Sequence, residues 1–261
     1  MMLSFLALAA ADPAAIAPSN KWLVEYADTM CVLSRSYGAG ADKVTLGLRP
    51  MPMSTASEIV LVTEGKGAAK LNGHAEIALL PASHPATGTY RRFPMQHGAG
   101  RLATMFFEGD ALVGLEQASA IDISLDGEAY RLAIPGISGA MKVLSACQDN
   151  LLTQWGIDPN ERKLEATHVA GNPGRFFGPD EYPRDAIRAG AQGRAVAVAE
   201  VEPDGHVGSC RIVATSGNKS LDEATCSIMR AKVRFSPALD KDGRAVVSHY
   251  IMPVRWVLPY R

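Results

Sequence analysis

The chain has 261 residues, of which 47% are hydrophobic and 20% are charged, and its formal net charge is −1. This composition is typical of a globular protein and excludes a disordered or membrane-embedded chain. No run of lysine and arginine with interleaved aromatic residues is present, so nucleic-acid binding is not predicted. The length is sufficient for two modest domains.

The first residues are typical of an export signal. A short apolar run, Leu3 to Ala11, ends in the small residues Ala9-Ala10-Ala11, as in the hydrophobic region and cleavage site of a secretory signal peptide. The run is too short to span a bilayer, which takes about 20 apolar residues. The positively charged start of a signal is missing, so an ordinary chain terminus is the alternative interpretation. We predict a signal peptide over residues 1–17 and export of the rest of the chain.

Residues 20–160 are predicted to form a mainly β domain of unknown function. Its short alternating segments are separated by turn residues such as Asn72-Gly73 and Asp126-Gly127, a spacing that favours a sandwich or a barrel. A helix is predicted at Ser138–Trp155, because its apolar residues share one face. The predicted strands are Met30–Tyr37, Lys43–Arg49, Glu58–Val62, Ala75–Leu80, Arg101–Phe107, Ala120–Ser124 and Tyr130–Ile134.

Residues 161–179 are rich in glycine and proline, and we predict that they form an interdomain linker. The remaining residues, 180–261, predict a second domain with the order helix, strand, strand, helix, strand. This order is typical of an α+β layer, in which a short antiparallel sheet packs against a helix. The predicted elements are a helix at 184–189, strands at 193–201 and 207–214, a helix at 221–232 and a strand at 245–257. Ser220 and Glu223 predict a capping box at the start of the second helix.

Residues at the joints of this domain resemble the C-terminal domain of TonB-type energy transducers. The resemblance covers residues 180–258 only, and many separate landmarks fall in the family's order. They are Tyr182-Pro183, Gly193, Asp204-Gly205, Ser216-Gly217, Leu221-Asp222, Phe235 with Pro237-Ala238, and Pro253-Val254 with Trp256. The chain departs from the family in its first strand, where alanines occupy one face and Val196 and Val198 the other. The second face is therefore predicted to pack on the N-terminal domain or on another copy of the chain.

The four cysteines, Cys31, Cys147, Cys210 and Cys226, form no CxxC motif, and an even number in an exported chain suggests two disulfides. Cys210 lies in a predicted strand and Cys226 in the helix expected to cover it, so these two can reach bonding distance. Such a bridge would contribute about 3 kcal/mol. Cys31 and Cys147 are the remaining pair. The alternative is free buried thiols.

The last predicted strand carries the functional prediction. Pro253 cannot donate to a β-ladder, so a strand that contains it is expected at the edge of the sheet. An unpaired edge can accept a strand of another protein. The TonB resemblance implies that this strand binds the TonB box of an outer-membrane receptor. The predicted partner-binding residues are Val247, His249, Tyr250, Ile251 and Arg255. The alternative is that Pro253 protects the edge against aggregation.

No enzymatic motif, metal ligand set or cofactor-binding motif is found, and the six histidines show no paired ligand spacing. We therefore predict a non-enzymatic periplasmic protein-binding module that needs no cofactor and lacks its own coupling to a membrane motor. Three alternatives stay open. The first is an anchored transducer whose start has been mis-set, and the second is an envelope enzyme with its activity in the N-terminal domain. The third is a structural module that forms a homodimer through Val196 and Val198.

Overall fold

The computed structural model describes residues 14–27, 29–53, 57–64, 70–81, 85–95, 100–107, 109, 111–164, 167–170 and 173–258. Most of the predicted signal peptide, residues 1–13, lies outside the described residues. The fold combines strands with fewer helices, so the predicted α+β class and the mainly β character of the N-terminal part are confirmed.

The chain divides into two compact units that interleave along the sequence. The first unit comprises Met1–Val24, Leu33–Leu48 and Ser57–Lys142, and the second comprises Glu25–Val32, Arg49–Ala56 and Val143–Arg261. This division differs from the predicted boundaries, because residues 25–32 and 49–56 group with the C-terminal residues and the predicted linker lies inside the second unit.

The described residues form sixteen strands and three α-helices, joined by turns and short 3₁₀ segments. The N-terminal elements are β1 (Leu23–Ala27), β2 (Met30–Tyr37), β3 (Val44–Pro50), β4 (Ser57–Thr63), β5 (Asn72–Leu80), β6 (Ala86–Pro94), β7 (Arg101–Phe107), β8 (Ala120–Leu125), β9 (Glu128–Ala133) and α1 (Ile137–Gln154). The C-terminal elements are β10 (His168–Val169), α2 (Arg184–Arg188), β11 (Gly193–Val201), β12 (Val207–Ala214), α3 (Lys219–Lys232), β13 (Phe235–Ser236), β14 (Ala238–Leu239), β15 (Ala245–Val246) and β16 (Ser248–Trp256).

The N-terminal strands form one nine-stranded sheet in the order β1-β2-β3-β4-β7-β6-β5-β8-β9. Residues just before β1 add to this sheet. Ile16 pairs with Leu132 of β9 and Pro18 pairs with Tyr37 of β2. Ile16 falls within the span predicted as a signal peptide, yet in the structure it is part of the folded unit.

The sequence predicts seven of the nine N-terminal strands and misses β1 and β6. The turn predicted at Asn72-Gly73 is wrong, because both residues lie in β5. Glycine is needed at position 73 for a packing reason instead. A Cβ atom there would lie 1.8 Å from Oδ2 of Asp126, whose carboxylate accepts a hydrogen bond from Tyr90 Oη at 3.0 Å.

The C-terminal module is a three-stranded antiparallel sheet in the order β12-β11-β16, with α3 packed against it. Its core contains Leu221, Ile228 and Met229 of α3. The predicted capping box is wrong, because α3 begins two residues earlier. The side chain of Asn218 accepts hydrogen bonds from the amides of Ser220 and Leu221 at 3.0 and 3.3 Å.

Two glycines of this module stand where the main chains approach too closely for a side chain. A Cβ atom at Gly193 would lie 2.1 Å from the carbonyl oxygen of Ser216. A Cβ atom at Gly205 would lie 2.2 Å from the carbonyl oxygen of Phe235, and Gly205 has a positive φ of 82°. A side chain at either site would therefore force two segments apart.

The predicted strand at 245–257 is two strands. Ala245–Val246 pairs with β14, and β16 begins at Ser248 and pairs with β11. Val247 connects them and is 49% exposed. The strand is interrupted because its two halves bond to different partners.

Tyr37 is a buried polar residue of the first unit. Its Oη has no hydrogen-bond partner within the described part of the chain, and burial raises the pKa of Tyr37 to about 12.

Replacing Tyr37 by phenylalanine is expected to raise the free energy of unfolding by about 1 kcal/mol, because it removes a buried hydroxyl that has no partner. Tyr37 should also lower the stability of the native chain progressively from pH 10 to about 12, since the unfolded tyrosine ionises before the folded one. Urea unfolding across this pH range should show a smaller loss in Tyr37→Phe. The matched change Tyr90→Phe should instead destabilise the fold, because Tyr90 Oη donates to Asp126. Equal effects of the two changes would contradict this assignment.

Candidate functional site: the outer edge of the last strand

The central strand β11 bonds to β12 on one side and to β16 on the other. Its pairing with β16 is continuous from Gly193 opposite Trp256 to Val201 opposite Ser248. Within the described residues, no strand pairs with the other side of β16. One side of β16 therefore lies at the edge of the sheet.

The direction of the main-chain groups along β16 follows from His249. Its amide donates to the carboxylate of Glu161 at 3.0 Å, so it points away from β11. Because main-chain groups alternate along an antiparallel strand, those of Ile251, Pro253 and Arg255 point the same way.

Pro253 fits this pattern. It stands opposite Val196 in a pair that exchanges no main-chain hydrogen bonds, so its missing N–H falls on the outer edge. A proline at Met252 or Val254 would instead remove a bond to β11. The inference from Pro253 that this strand lies at an edge therefore agrees with the observed strand order.

The inner face of β16 anchors the strand in the core. Met252, Val254 and Trp256 are buried, and Trp256 Nε1 donates to Thr225 Oγ1 at 3.0 Å. The rings of Phe177 and Tyr182 meet the ring of Trp256 edge to face, with centroids 5.9 and 5.2 Å away. The Tyr182 hydroxyl donates to the carbonyl of Ala191, and burial raises the pKa of Tyr182. These contacts hold β16 in place without using its outer edge.

The start of β16 is covered by residues that the sequence predicts as linker. Besides binding the amide of His249, Glu161 lies 2.9 Å from the ring Nδ1 of the same histidine. Thr167 Oγ1 and Ser248 Oγ share a hydrogen bond of 2.6 Å, and β10 pairs with β13. The segment 161–169 therefore packs on the module and closes one end of its edge.

The opposite face of the sheet is buried within this chain. Val196, Val198 and Ile251 are at most 2% exposed. Arg211, which stands opposite Val198, donates to the carbonyl of Trp155. The alternative of a dimer formed through Val196 and Val198 is therefore wrong, because neither valine is accessible to a second copy.

The five residues predicted to bind a partner occupy different environments. Val247 and Arg255 are exposed, whereas Ile251 is only 1% exposed and can contribute little but its main chain. His249 is engaged by Glu161, and the ring of Tyr250 packs on Phe235 with centroids 4.9 Å apart. Sequence reasoning missed Glu161 and Thr167, which gave no signal in the glycine- and proline-rich segment.

Both disulfides are present. Cys31 bonds to Cys147 and Cys210 bonds to Cys226, with Cα atoms 6.1 and 5.5 Å apart. These are the pairs that the sequence analysis favours, and they leave no free cysteine. The second bridge ties β12 to α3.

The sequence of residues 179–258 matches one protein family, described as the C-terminal part of the Gram-negative bacterial TonB protein. This C-terminal segment belongs to the TonB C-terminal family. No curated protein and no solved structure matches the chain.

TonB C-terminal domains are non-enzymatic and mediate binding to outer-membrane receptors, so the match supports a TonB-like role in TonB-dependent transport. The family's landmarks have physical reasons in this TonB-like module. Gly193 and Gly205 stand where main chains nearly touch, and Tyr182 and Trp256 pack on each other.

The part of the chain that the structure describes contains no group of three or more His, Cys, Asp or Glu side chains placed to hold a metal ion. None of the helices in that part combines the length and apolar character of a membrane span.

Replacing Glu161 by alanine is expected to speed hydrogen exchange of the His249 amide on the order of tenfold, because the amide loses its acceptor. Exchange at Tyr250 and Met252, whose amides point toward β11, should change little. NMR of the labelled full chain measures all three. Glu181→Ala is the matched control, since Glu181 pairs with Lys232 instead. An unchanged rate at His249 would show that Glu161 does not cap the strand.

Proposed function

We propose that this chain is a periplasmic protein-binding module that docks an extended segment of a partner by adding it to the outer edge of β16. Residues 179–258 carry the docking surface, and TonB-dependent transmembrane transport is the process it serves. The observation that carries the proposal is that every second residue of β16 points its main-chain N–H and C=O groups away from β11. Ile251 is the central donor and acceptor of this row.

Because side chains of β16 are buried, recognition through its main chain is favoured over recognition through its side chains. The inner face of the strand belongs to the core, and Ile251 is buried on the other face. What the strand can offer a visitor is therefore mostly its row of amides and carbonyls. Recognition of this kind selects an extended conformation, and the exposed side chain of Arg255 helps to fix the register of the partner.

Glu161 limits where a visiting strand can pair. Its carboxylate occupies the place that a partner's carbonyl would take at His249. Pro253 offers a carbonyl but no N–H. A short visiting strand therefore pairs from Ile251 toward the end of β16, over two or three residue pairs.

The partner that fits best is the TonB box of an outer-membrane receptor. The family match indicates this class of partner, and a short extended segment meets the geometry of the edge. The two disulfides fit an oxidising compartment such as the periplasm. We propose that the module acts there.

Addition of a TonB-box peptide to the full chain is expected to protect the Ile251 amide from hydrogen exchange at least tenfold, because the amide gains a main-chain acceptor. Tyr250 and Met252 are internal controls, since their amides already point toward β11. Binding without protection at Ile251 would contradict strand addition. No binding of any receptor peptide would contradict the proposed partner.

Cross-linking provides an independent check of register. The native cysteines are all in disulfides, so Arg255→Cys introduces a single reactive thiol at an exposed site inside the stretch of β16 that is expected to pair. Peptides with one cysteine at successive positions should cross-link at alternate positions, because side chains alternate along a strand. Cross-linking at every position would indicate contact without strand pairing.

A further inference from the structure

A groove runs beside the other edge of the same sheet, between β12 and α3. Its volume is about 730 Å³. Its lining includes Ile212, the disulfide between Cys210 and Cys226, Lys219 and Arg230. We refer to these residues as the β12 groove.

The main chain of β12 presents an open edge to this groove. Every second residue of β11 bonds to β16, so the residues between them, including Val198 and Glu200, bond to β12. Their partners Arg211 and Ser209 therefore point inward. By alternation, the main-chain groups of Cys210 and Ile212 point outward. Within the described residues, no strand pairs with this side of β12.

The pairing also limits the length of this edge. The register of β12 on β11 shifts between Val196 and Ala197 and again between Glu200 and Val201. The regular stretch is therefore short, and Cys210 and Ile212 lie inside it. Two outward residues can form up to four main-chain hydrogen bonds with one visiting strand.

The charges of the groove favour an anionic visitor. The acids beside it are already engaged, since Asp222 accepts from Thr215 Oγ1 at 2.6 Å and Glu223 lies 3.5 Å from Lys219. Arg230 is exposed and forms no ion pair with any described residue. Arg211 also belongs to the lining, but its guanidinium donates to the carbonyl of Trp155. Because Lys219 is paired with Glu223, Arg230 is the cation of the groove that an anionic visitor can pair with.

We propose that the β12 groove is a second docking site, which binds an acidic extended segment of a partner protein through the main chain of Cys210 and Ile212 and the guanidinium of Arg230. The Cys210–Cys226 bridge holds α3 against β12, so the groove is formed before the segment arrives and less ordering is required on binding. A second copy of β12 does not fit this site, because β12 carries no acidic residue.

The test uses two fluorescent nine-residue peptides that carry the same valine and threonine residues at every second position. At the positions between them, one peptide carries aspartate and glutamate, and the other carries lysine. The full chain should bind the acidic peptide at least tenfold more tightly than the lysine peptide. Arg230→Glu should weaken binding of the acidic peptide at least tenfold, and Arg230→Gln should weaken it by a smaller factor.

Lys241→Glu is the matched control, because it makes the same change of charge at a residue whose side chain is 89% exposed in the turn between β14 and β15. Its affinity for the acidic peptide should stay within twofold of the native value. Thermal unfolding of each variant checks that the fold is intact.

Hydrogen exchange decides which edge is used. The acidic peptide should protect the amides of Cys210 and Ile212 and leave Ile251 unchanged. Protection of Ile251 instead, equal binding of the two peptides, or full affinity in folded Arg230→Glu would each overturn the second site. None of these results depends on binding of a TonB-box peptide at β16, so the two sites succeed or fail separately.

Discussion

The hydrogen bonds of β11 determine what this module can offer a partner. The strand is central, and its residues alternate between bonding to β16 and bonding to β12. This alternation leaves every second residue of each outer strand pointing away from the sheet. Both candidate docking surfaces follow from it, since Ile251 lies on one edge and Cys210 and Ile212 on the other. The burial of both faces of β11 then makes the edges the accessible main-chain surface of the sheet.

The two edges are protected against unwanted pairing in different ways. On β16, Pro253 removes one donor and Glu161 occupies another, so the open stretch is short but still regular. On β12, register shifts interrupt the ladder, and the exposed Arg230 lies beside it. An edge with such features resists indiscriminate pairing, yet it keeps a few main-chain groups for a partner of the correct length and charge.

The sequence predicts the C-terminal elements well because local signals and packing agree there. The strands Gly193–Val201 and Val207–Ala214 have the predicted boundaries, and Gly193 and Gly205 stand at close approaches of the main chain. The differences between the predicted and the observed elements also have physical causes. The strand β6, which lies between β7 and β5 in the N-terminal sheet, lacks alternation because it carries two arginines and a glycine near its centre. The predicted start of α3 differs from the observed one because Asn218 and Ser220 both have the chemistry of a cap.

The contact of Glu161 with His249 could not be predicted, because it joins residues 88 positions apart and its local sequence is typical of a linker. Its consequence for the candidate site is that the open stretch of the β16 edge begins after His249. A carboxylate accepts a main-chain N–H in the same way as the carbonyl of a neighbouring strand, so Glu161 acts as the end of an extra strand. The predicted linker is thereby part of the candidate docking surface, and the family landmarks alone, which begin at Tyr182, do not define the candidate site. The edge of β16 is set jointly by the TonB-like module and by the segment that precedes it.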